Sequence, residues 1–344
     1  MSAAANPGVG VDYAVVIPTV GRQSLAVVLD ALEHGSGPPP REVIVVDDRP
    51  DPGPLPATRS ARVLRSGGRG PAAARNAGWR AACCEWVVFL DDDVLPPPDW
   101  KARLVADLAW LGLEVGASQA RITVPLPADR RPTDWERNTA GLATSKWITA
   151  DMAYRRAALV RSGGFDERFP RAYREDTELA LRVQRHGYRV VTGERVTTHP
   201  VREADFLVSV RQQRGNADDA LVRRLLGPDW REQFGGARGR LPQHAATTAA
   251  AVLAVLCGVL GARRAALLLG GAWAGLTAKF ALDRIAPGPR TREEVVKMLV
   301  TSAAIPPVAC LHRVLGELRH RGVRSPVAAD VFDPHAERPP VVRR

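Results

Sequence analysis

Over the first two-thirds of the chain, short unbroken apolar runs alternate with stretches of helical spacing. Tyr13-Ala14-Val15-Val16-Ile17, Val43-Ile44-Val45-Val46, Val63-Leu64-Arg65 and Trp86-Val87-Val88-Phe89-Leu90 read as strands, the first stopped by Pro18. Between them Leu25, Val28, Leu29 and Leu32 recur at helical intervals over 23–33, and Gly35 to Pro40 reads as a loop. A second helix is expected over 71–83, with Pro71 in its first turn. Further on, a helix from about Arg174 to His186 and a strand ending at His199 continue the alternation. Strands alternating with helices predict an α/β fold, a mostly parallel sheet with right-handed crossovers and helices on its faces.

The pattern changes after about Leu241. Residues 245–262 are apolar, Arg263-Arg264 interrupts them, and 265–278 are apolar again before Lys279. The first run just reaches the roughly 18 residues of a membrane span and the second falls short. A spanning pair that starts in the cytoplasm would also place Arg263-Arg264 on the far side, against the positive-inside tendency. A helical hairpin lying in or dipping into a membrane surface is therefore favoured over a spanning pair and over a buried soluble hairpin. Residues 290–324 add a partly amphipathic helix carrying Lys297, Arg313, Arg319 and Arg321, which suits an anionic membrane surface. The expected organisation is a flexible N-terminus (1–11), an α/β domain (12–240), a helical membrane-associated region (241–324) and a flexible tail (325–344).

Charge narrows the partners. The 344 residues carry a net charge of +11, which attracts anions. The excess is mainly Arg spread along the chain, and no nucleic-acid-binding signature accompanies it, so nucleic acid is not expected as a partner. Four cysteines without a CxxC pair suggest neither a zinc site nor a disulfide framework. Residues 1–10 show no basic stretch followed by an apolar core. The expected location is cytoplasmic, at the inner face of the cell membrane.

The candidate chemistry sits at strand ends. Asp91-Asp92-Asp93 closes the strand at Leu90, and Asp47-Asp48 closes the strand at Val46. In a parallel sheet these ends share one edge, where open α/β sheets bind ligands. Three adjacent carboxylates are tolerable around a divalent cation; a helix N-cap and a solvated acidic turn are the plainer alternative. Between the pairs lie Ser66-Gly67-Gly68-Arg69-Gly70-Pro71 and Ala74-Arg75-Asn76-Ala77-Gly78, where glycines admit a ligand close to the backbone and Arg69 or Arg75 can meet phosphate. Arg174-Glu175-Asp176 opens a helix, where acidic residues also serve the helix dipole. His199 ends a strand, and near carboxylates an imidazole suits Mn-like sites.

Taken in order, these pieces resemble the family 2 glycosyltransferases of the nucleotide-diphospho-sugar transferase (GT-A) fold. Val16-Ile17-Pro18-Thr19 resembles the opening strand and turn, Val45-Val46-Asp47-Asp48 the nucleobase-binding strand end, and Ala74-Arg75-Asn76-Ala77-Gly78 the helix beside the nucleotide. Phe89-Leu90-Asp91-Asp92-Asp93 resembles the DxD metal motif. Gly163-Gly164-Phe165-Asp166-Glu167 followed by Glu175-Asp176 resembles the acceptor loop and the catalytic-base motif. Together they cover about residues 12–205.

The resemblance implies an inverting, metal-dependent transfer of sugar from a nucleotide-diphosphate donor to a hydroxyl of a cell-envelope glycan or lipid-linked acceptor. It implies donor contacts at Pro18, Thr19, Arg22, Asp47, Asp48, Arg75, Asp91 and Asp92, and Mn2+ or Mg2+ held by Asp91 and Asp93 with His199 as a further ligand. Asp176 would be the base, supported by Glu175, and Asp151, Gly163, Gly164 and Phe165 would meet the acceptor. Two departures stand out. Arg49-Pro50 replaces the usual Gly-Ser, so nucleotide preference does not carry over, and Asp151 stands where many members have a small or amide residue, touching the acceptor or capping the next helix. Two other readings remain open. One is a haloacid-dehalogenase-type phosphatase, whose Asp-x-Asp motif usually opens its fold. The other is a membrane-docked non-catalytic scaffold.

Overall fold

A computed structural model describes residues 10–56, 58, 60–233 and 239–323. The expected flexible N-terminus, apart from residues 10 and 11, and the expected tail lie outside the described residues. The chain runs β1 (Tyr13–Thr19), α1 (Ser24–His34), β2 (Glu42–Asp47), β3 (Arg62–Arg65), α2 (Pro71–Ala81), β4 (Trp86–Leu90), α3 (Trp100–Leu108) and β5 (Val115–Thr123). It continues α4 (Asp134–Ala140), β6 (Asp151–Arg155), α5 (Arg156–Ser162), α6 (Glu175–Arg185) and β7 (Arg189–Thr198). Short α7 (Val208–Arg211), α8 (Gly215–Leu226) and α9 (Trp230–Gln233) precede the long α10 (Leu241–Val259), α11 (Arg263–Ile285) and α12 (Arg292–Arg319).

The strands form one sheet in the order β3-β2-β1-β4-β6-β5-β7. All neighbours are parallel except β6, which is antiparallel to both β4 and β5. Side chains alternate across the central strands. Val15 and Ile17 pack with Leu25, Leu29, Trp100 and Leu104 on one face. Ala14 and Val16 pack with Trp79, Phe89, Phe165 and Leu179 on the other. A third cluster, including Phe169, Leu181, Leu221 and Trp230, binds α6 to α8 and α9.

The expected stop at Pro18 is wrong. β1 runs on to Thr19, paired with Asp47 of β2. The ladder with β4 ends at Val16, so a proline beyond that point removes no bond on the β4 side.

The C-terminal helices pack on one another and on the α/β domain. Three of the described helices, α10, α11 and α12, are long and apolar enough to cross a membrane. Of the three, α12 is bound to the α/β domain. Near its start Glu294 accepts from the backbone N–H of Asp134 at 2.7 Å, and near its end Glu317 pairs with Arg224 at 2.9 Å while Gly316 lies against Ala217. Bound to the domain at both ends, this helix of about 42 Å lies along it.

α10 and α11 are anchored only where they meet the rest. His244, Thr247 and Ala250 are buried in α10, and Ala281 and Arg284 in α11. The Arg284 guanidinium donates to Thr301, Ser302, Ser209 and Asp134, tying α11 to α12 and to the domain. Towards the turn the hairpin stands clear: Val259, Leu260, Leu267 and Leu268 are each more than three-quarters exposed. Within this chain the hairpin turn is therefore not covered by the core.

Candidate active site

The parallel strands deliver their acidic ends to one edge, and there the carboxylates diverge in role. Asp92 is buried and accepts from the Thr19 hydroxyl at 2.6 Å and from Arg22. Asp47 is buried and held by a two-pronged Arg49, at 2.9 Å and 2.7 Å. That fork holds its carboxyl below the usual carboxylate range, against the opposing effect of burial. Asp48 reaches across the edge, accepting from the Ser66 hydroxyl at 2.7 Å and the Gly70 backbone N–H at 2.9 Å. It therefore fixes the glycine-rich turn. Gly70 itself has φ +96° and leaves no room for a Cβ beside the Pro170 carbonyl, so only glycine fits there.

Asp91 and Asp93 turn the other way, towards His199 at the end of β7. One ligand atom from each of these three residues lies within 4.8 Å of the others. His199 Nδ1 faces the Pro200 carbonyl at 3.1 Å, which can only accept, so the proton sits on Nδ1. Nε2 is then the nitrogen turned to the carboxylates, 3.8 Å from Asp93. An imidazole fixed through its other nitrogen is the usual posture of a metal-ligating histidine. Two carboxylates and one such imidazole form a donor set that fits Mn2+ or Mg2+. Arg202 Nε, 3.0 Å from Asp93, supplies positive charge at the same carboxylate.

The second acidic element is built by strain and burial. Arg174, immediately before α6, has φ +79°, a left-handed conformation that a non-glycine residue holds only when its surroundings impose it. Its side chain is fixed by Asp219 at 2.9 Å and lies over Tyr173 and Trp230. This turn sets Glu175 and Asp176 at the N-terminus of α6. Glu175 is buried, takes Arg75 Nη1 at 2.7 Å on Oε1, and leaves Oε2 buried without a partner. Burial first, and Asp176 second, push its pKa up to about 8. Burial also raises Asp176, while the Thr177 N–H at 2.7 Å opposes the shift. Arg75, itself buried, gives its other prong to Asp91 at 2.9 Å. One guanidinium thus spans the metal-type cluster and the acidic pair.

These groups open into a cleft of about 1020 Å3 between the α/β domain and the C-terminal helices. Arg75, Asp91, Glu175, Asp176 and His199 line it, together with Arg214 in the turn Gln212–Arg214, Leu241 at the start of α10, and Arg313 of α12.

Several expected contacts lie elsewhere. Asp151 is fully buried, accepting from Trp100 Nε1 at 2.6 Å, Arg195 Nε at 2.9 Å and the Thr197 hydroxyl at 2.5 Å. It neither meets the cleft nor caps the helix that follows β6; it neutralises a buried arginine. Phe165 is core, edge-on to Phe89 at 5.2 Å. Gly163 ends α5 with φ +76°, and a Cβ on Gly164 would sit 2.5 Å from Asn76 Oδ1. Asn76 grips this turn through the Phe165 N–H and carbonyl, both at 2.9 Å. The 163–165 turn is therefore packing, not acceptor surface. Asp47, Asp92 and the Thr19 hydroxyl are spent on internal partners, and Pro18 is buried within β1. Arg22 stays partly exposed beside Asp92.

Sequence reasoning missed Arg202 and Arg214, and placed Arg313 on a membrane-facing helix surface, not in the cleft. Arg202, three residues after His199, was within reach of the motif. Arg214 and Arg313 arrive by tertiary folding, and no local pattern marks them.

Residues 14–169 match the profile described as Glycosyl transferase family 2. That segment is a family 2 glycosyltransferase domain. It carries β1 to β6 and the Asp91/Asp93 strand end, while His199 and the acidic pair follow it in the chain. No curated protein sequence matches the chain. Among solved structures, a mannosyltransferase from Pyrobaculum calidifontis in complex with GDP-Man and Mn2+ is 24% identical. The likeness covers 90% of this chain and 88% of that one with a TM-score of 0.54, and it shows a shared fold that includes the C-terminal region. Glucosyl-3-phosphoglycerate synthase from Mycobacterium tuberculosis, in complex with Mn2+, UDP and phosphoglyceric acid, is 18% identical. There 62% of this chain and 78% of that chain are covered, with a TM-score of 0.42.

Proposed function

We propose that this glycosyltransferase moves a sugar from a nucleotide-diphosphate donor to a hydroxyl of a cell-envelope glycan or lipid-linked acceptor, with inversion at the anomeric carbon. The observation that carries this reading is one cleft lined by both Asp91 with His199 and Glu175 with Asp176. Asp91, Asp93 and His199 would hold Mn2+ or Mg2+. The cation's chemistry is to neutralise the charge that develops on the diphosphate leaving group.

The chain's own residues do the rest. Asp176 accepts the proton of the acceptor hydroxyl as its oxygen attacks the anomeric carbon. Burial raises both Glu175, to about 8, and Asp176, so the two carboxyls titrate as one pair. Arg75 bonds Glu175 and Asp91, fixing the pair relative to the strand end, and its charge favours ionisation within the pair. Direct attack opposite the leaving group inverts the centre.

We further propose that residues 12–240 form the catalytic unit and 241–324 a membrane-associated one at the cytoplasmic face. The α10–α11 hairpin would dip into the bilayer while α12 lies at its surface. The exposed apolar turn around Leu260 and Leu267 supports this. At about 28 Å and 34 Å the two helices match the hydrocarbon thickness, but their anchored ends remain with the domain.

A thermal-shift screen against UDP-, GDP-, dTDP- and CDP-sugars, with and without Mn2+, tests the donor assignment. Stabilisation that needs the metal is expected with one nucleotide class. No shift with any of them, together with phosphate release from a simple ester, would favour the phosphatase reading.

A further inference from the structure

A second cavity, of about 410 Å3, lies at the root of the α10–α11 hairpin and is lined from α4, α7, α10, α11 and α12. It adjoins the cleft across Trp135, Gln212 and Arg240, but none of Asp91, Asp93, His199, Glu175 and Asp176 lines it. The transfer reaction leaves it without a role.

Its charged groups are unevenly paired. Arg284 and Arg137 both bind Asp134, at 2.8 Å and 3.4 Å, and so hold the helices to the domain. Asp283 takes Lys279 at 3.3 Å and Arg240 only at 3.7 Å. What remains is basic. The half-buried Lys297 ammonium has no carboxylate or hydrogen-bond partner among the described residues. His244 is 8% exposed, and its ring nitrogens have no hydrogen-bond partner among the described residues. A polar ring buried in this way is costly unless a ligand or water completes it. The His244 ring meets Phe280 edge-on at 5.1 Å, and the Arg240 guanidinium lies over the same Phe280 at 5.4 Å. Burial first, then Arg240 and Arg284, lower the His244 pKa, so the neutral imidazole offers one N–H and one lone pair.

We propose that this cavity binds the phosphodiester headgroup of an anionic membrane phospholipid, through Lys297, Arg240 and His244. This rests on the membrane reading above. The ammonium, the guanidinium and the imidazole N–H supply donors to phosphate oxygens. α10 starts beside them with no acidic residue in its first turn, so its positive end adds to the same side. Position selects a lipid over a free anion. A hairpin inserted by its turn at Leu260 and Leu267 leaves its root at headgroup depth, where the bilayer presents phosphate. A zwitterionic headgroup would bring a second cation to groups that are already cationic. A headgroup hydroxyl, as in phosphatidylglycerol, would instead meet the imidazole lone pair.

The test titrates the full-length protein, in micelles of an uncharged detergent, with dioctanoyl phosphatidylglycerol, dioctanoyl phosphatidylcholine and glycerol 3-phosphate. Calorimetry compares wild type, Lys297→Gln, Lys297→Arg and, as a charge control, Arg121→Gln, Arg121 being an exposed partner of Glu194. Phosphatidylglycerol is expected to bind at least about tenfold more tightly than the other two. Lys297→Gln should weaken it about ten- to hundredfold, and Lys297→Arg should restore most of that loss. Arg121→Gln should leave it unchanged. Equal binding of phosphatidylcholine would overturn the anionic headgroup, and equal binding of glycerol 3-phosphate would overturn the lipid. Undiminished binding in Lys297→Gln would overturn the cavity as the site.

Two further measurements keep this inference apart from the readings above. Mn2+-dependent binding of UDP and GDP should survive in Lys297→Gln; its loss would move Lys297 to the donor and overturn the inference. Wild type that sediments with vesicles of neither lipid, yet binds dioctanoyl phosphatidylglycerol with the expected selectivity, would overturn the membrane reading and support this site.

Discussion

Replacing Asp151 separates a structural carboxylate from an acceptor contact. Its Oδ1 takes Arg195 Nε, and its Oδ2 takes both Trp100 Nε1 and the Thr197 hydroxyl. Arg195 is wholly buried and spans three neighbours, Asp151, Asp107 and Ser118. Asp151→Asn keeps the volume but must aim an NH2 at one of these donors, and it removes one of the two carboxylates facing a buried cation. Breaking such a pair costs about 3–5 kcal/mol. Because Asp107 still meets Arg195 Nη1 at 3.0 Å, the lower end, about 3 kcal/mol, applies. For a domain of this size that is a fall of roughly 6–12 °C in melting temperature. Differential scanning fluorimetry reads the fall, and acceptor KM measured well below both transitions should be unchanged. An unaltered melting temperature with a raised acceptor KM would refute the buried-network account and return Asp151 to the acceptor.

Other outcomes follow from the same geometry. Asp93→Ala should weaken Mn2+-dependent nucleotide binding by more than about tenfold, since even outer-shell losses at metal sites cost that much; calorimetry showing unchanged affinity would remove Asp93 from the site. Ionisation of Glu175 opposes folding because its pKa lies near 8 in the fold against an ordinary 4.5. That cost is absent below about pH 4.5 and grows as the pH rises through 8. Permanently neutral Glu175→Gln should therefore gain melting temperature on wild type between pH 5 and 8.5, and a constant difference would contradict the raised pKa. Leu260→Asp combined with Leu267→Asp should abolish sedimentation with anionic vesicles, as each buried leucine contributes about 1.5–3 kcal/mol. Undiminished vesicle binding would place the membrane contact elsewhere.

The frame of the fold was legible because its signals are local. Apolar runs at Val43–Val46 and Trp86–Leu90 mark strands whatever surrounds them, and a parallel sheet sends their ends to one edge. The trio of Asp91, Asp93 and His199 was legible as well, since two members share a strand end and the third closes another strand. What failed was the assignment of individual donors and acceptors. Asp47, Asp48, Asp92 and Asp151 look alike in sequence to Asp91 and Asp93. Only packing decides that Arg49, the Ser66–Gly70 turn, Thr19 and Arg195 absorb the first four. Gly163-Gly164-Phe165 is likewise a motif whose work here is to pack against Asn76 and Phe89. The other arginines that line the cleft range from Arg171 to Arg313, a separation across which no spacing rule operates.

The central claim is that Asp176 removes the acceptor proton in a metal-dependent sugar transfer. The most direct measurement is incorporation of radiolabelled sugar from a nucleotide-sugar into a membrane lipid extract, with Mn2+, by full-length wild type and Asp176→Asn. Wild type should transfer label, and the variant should bind the donor equally well yet transfer almost none. Equal incorporation by the two proteins would contradict the account.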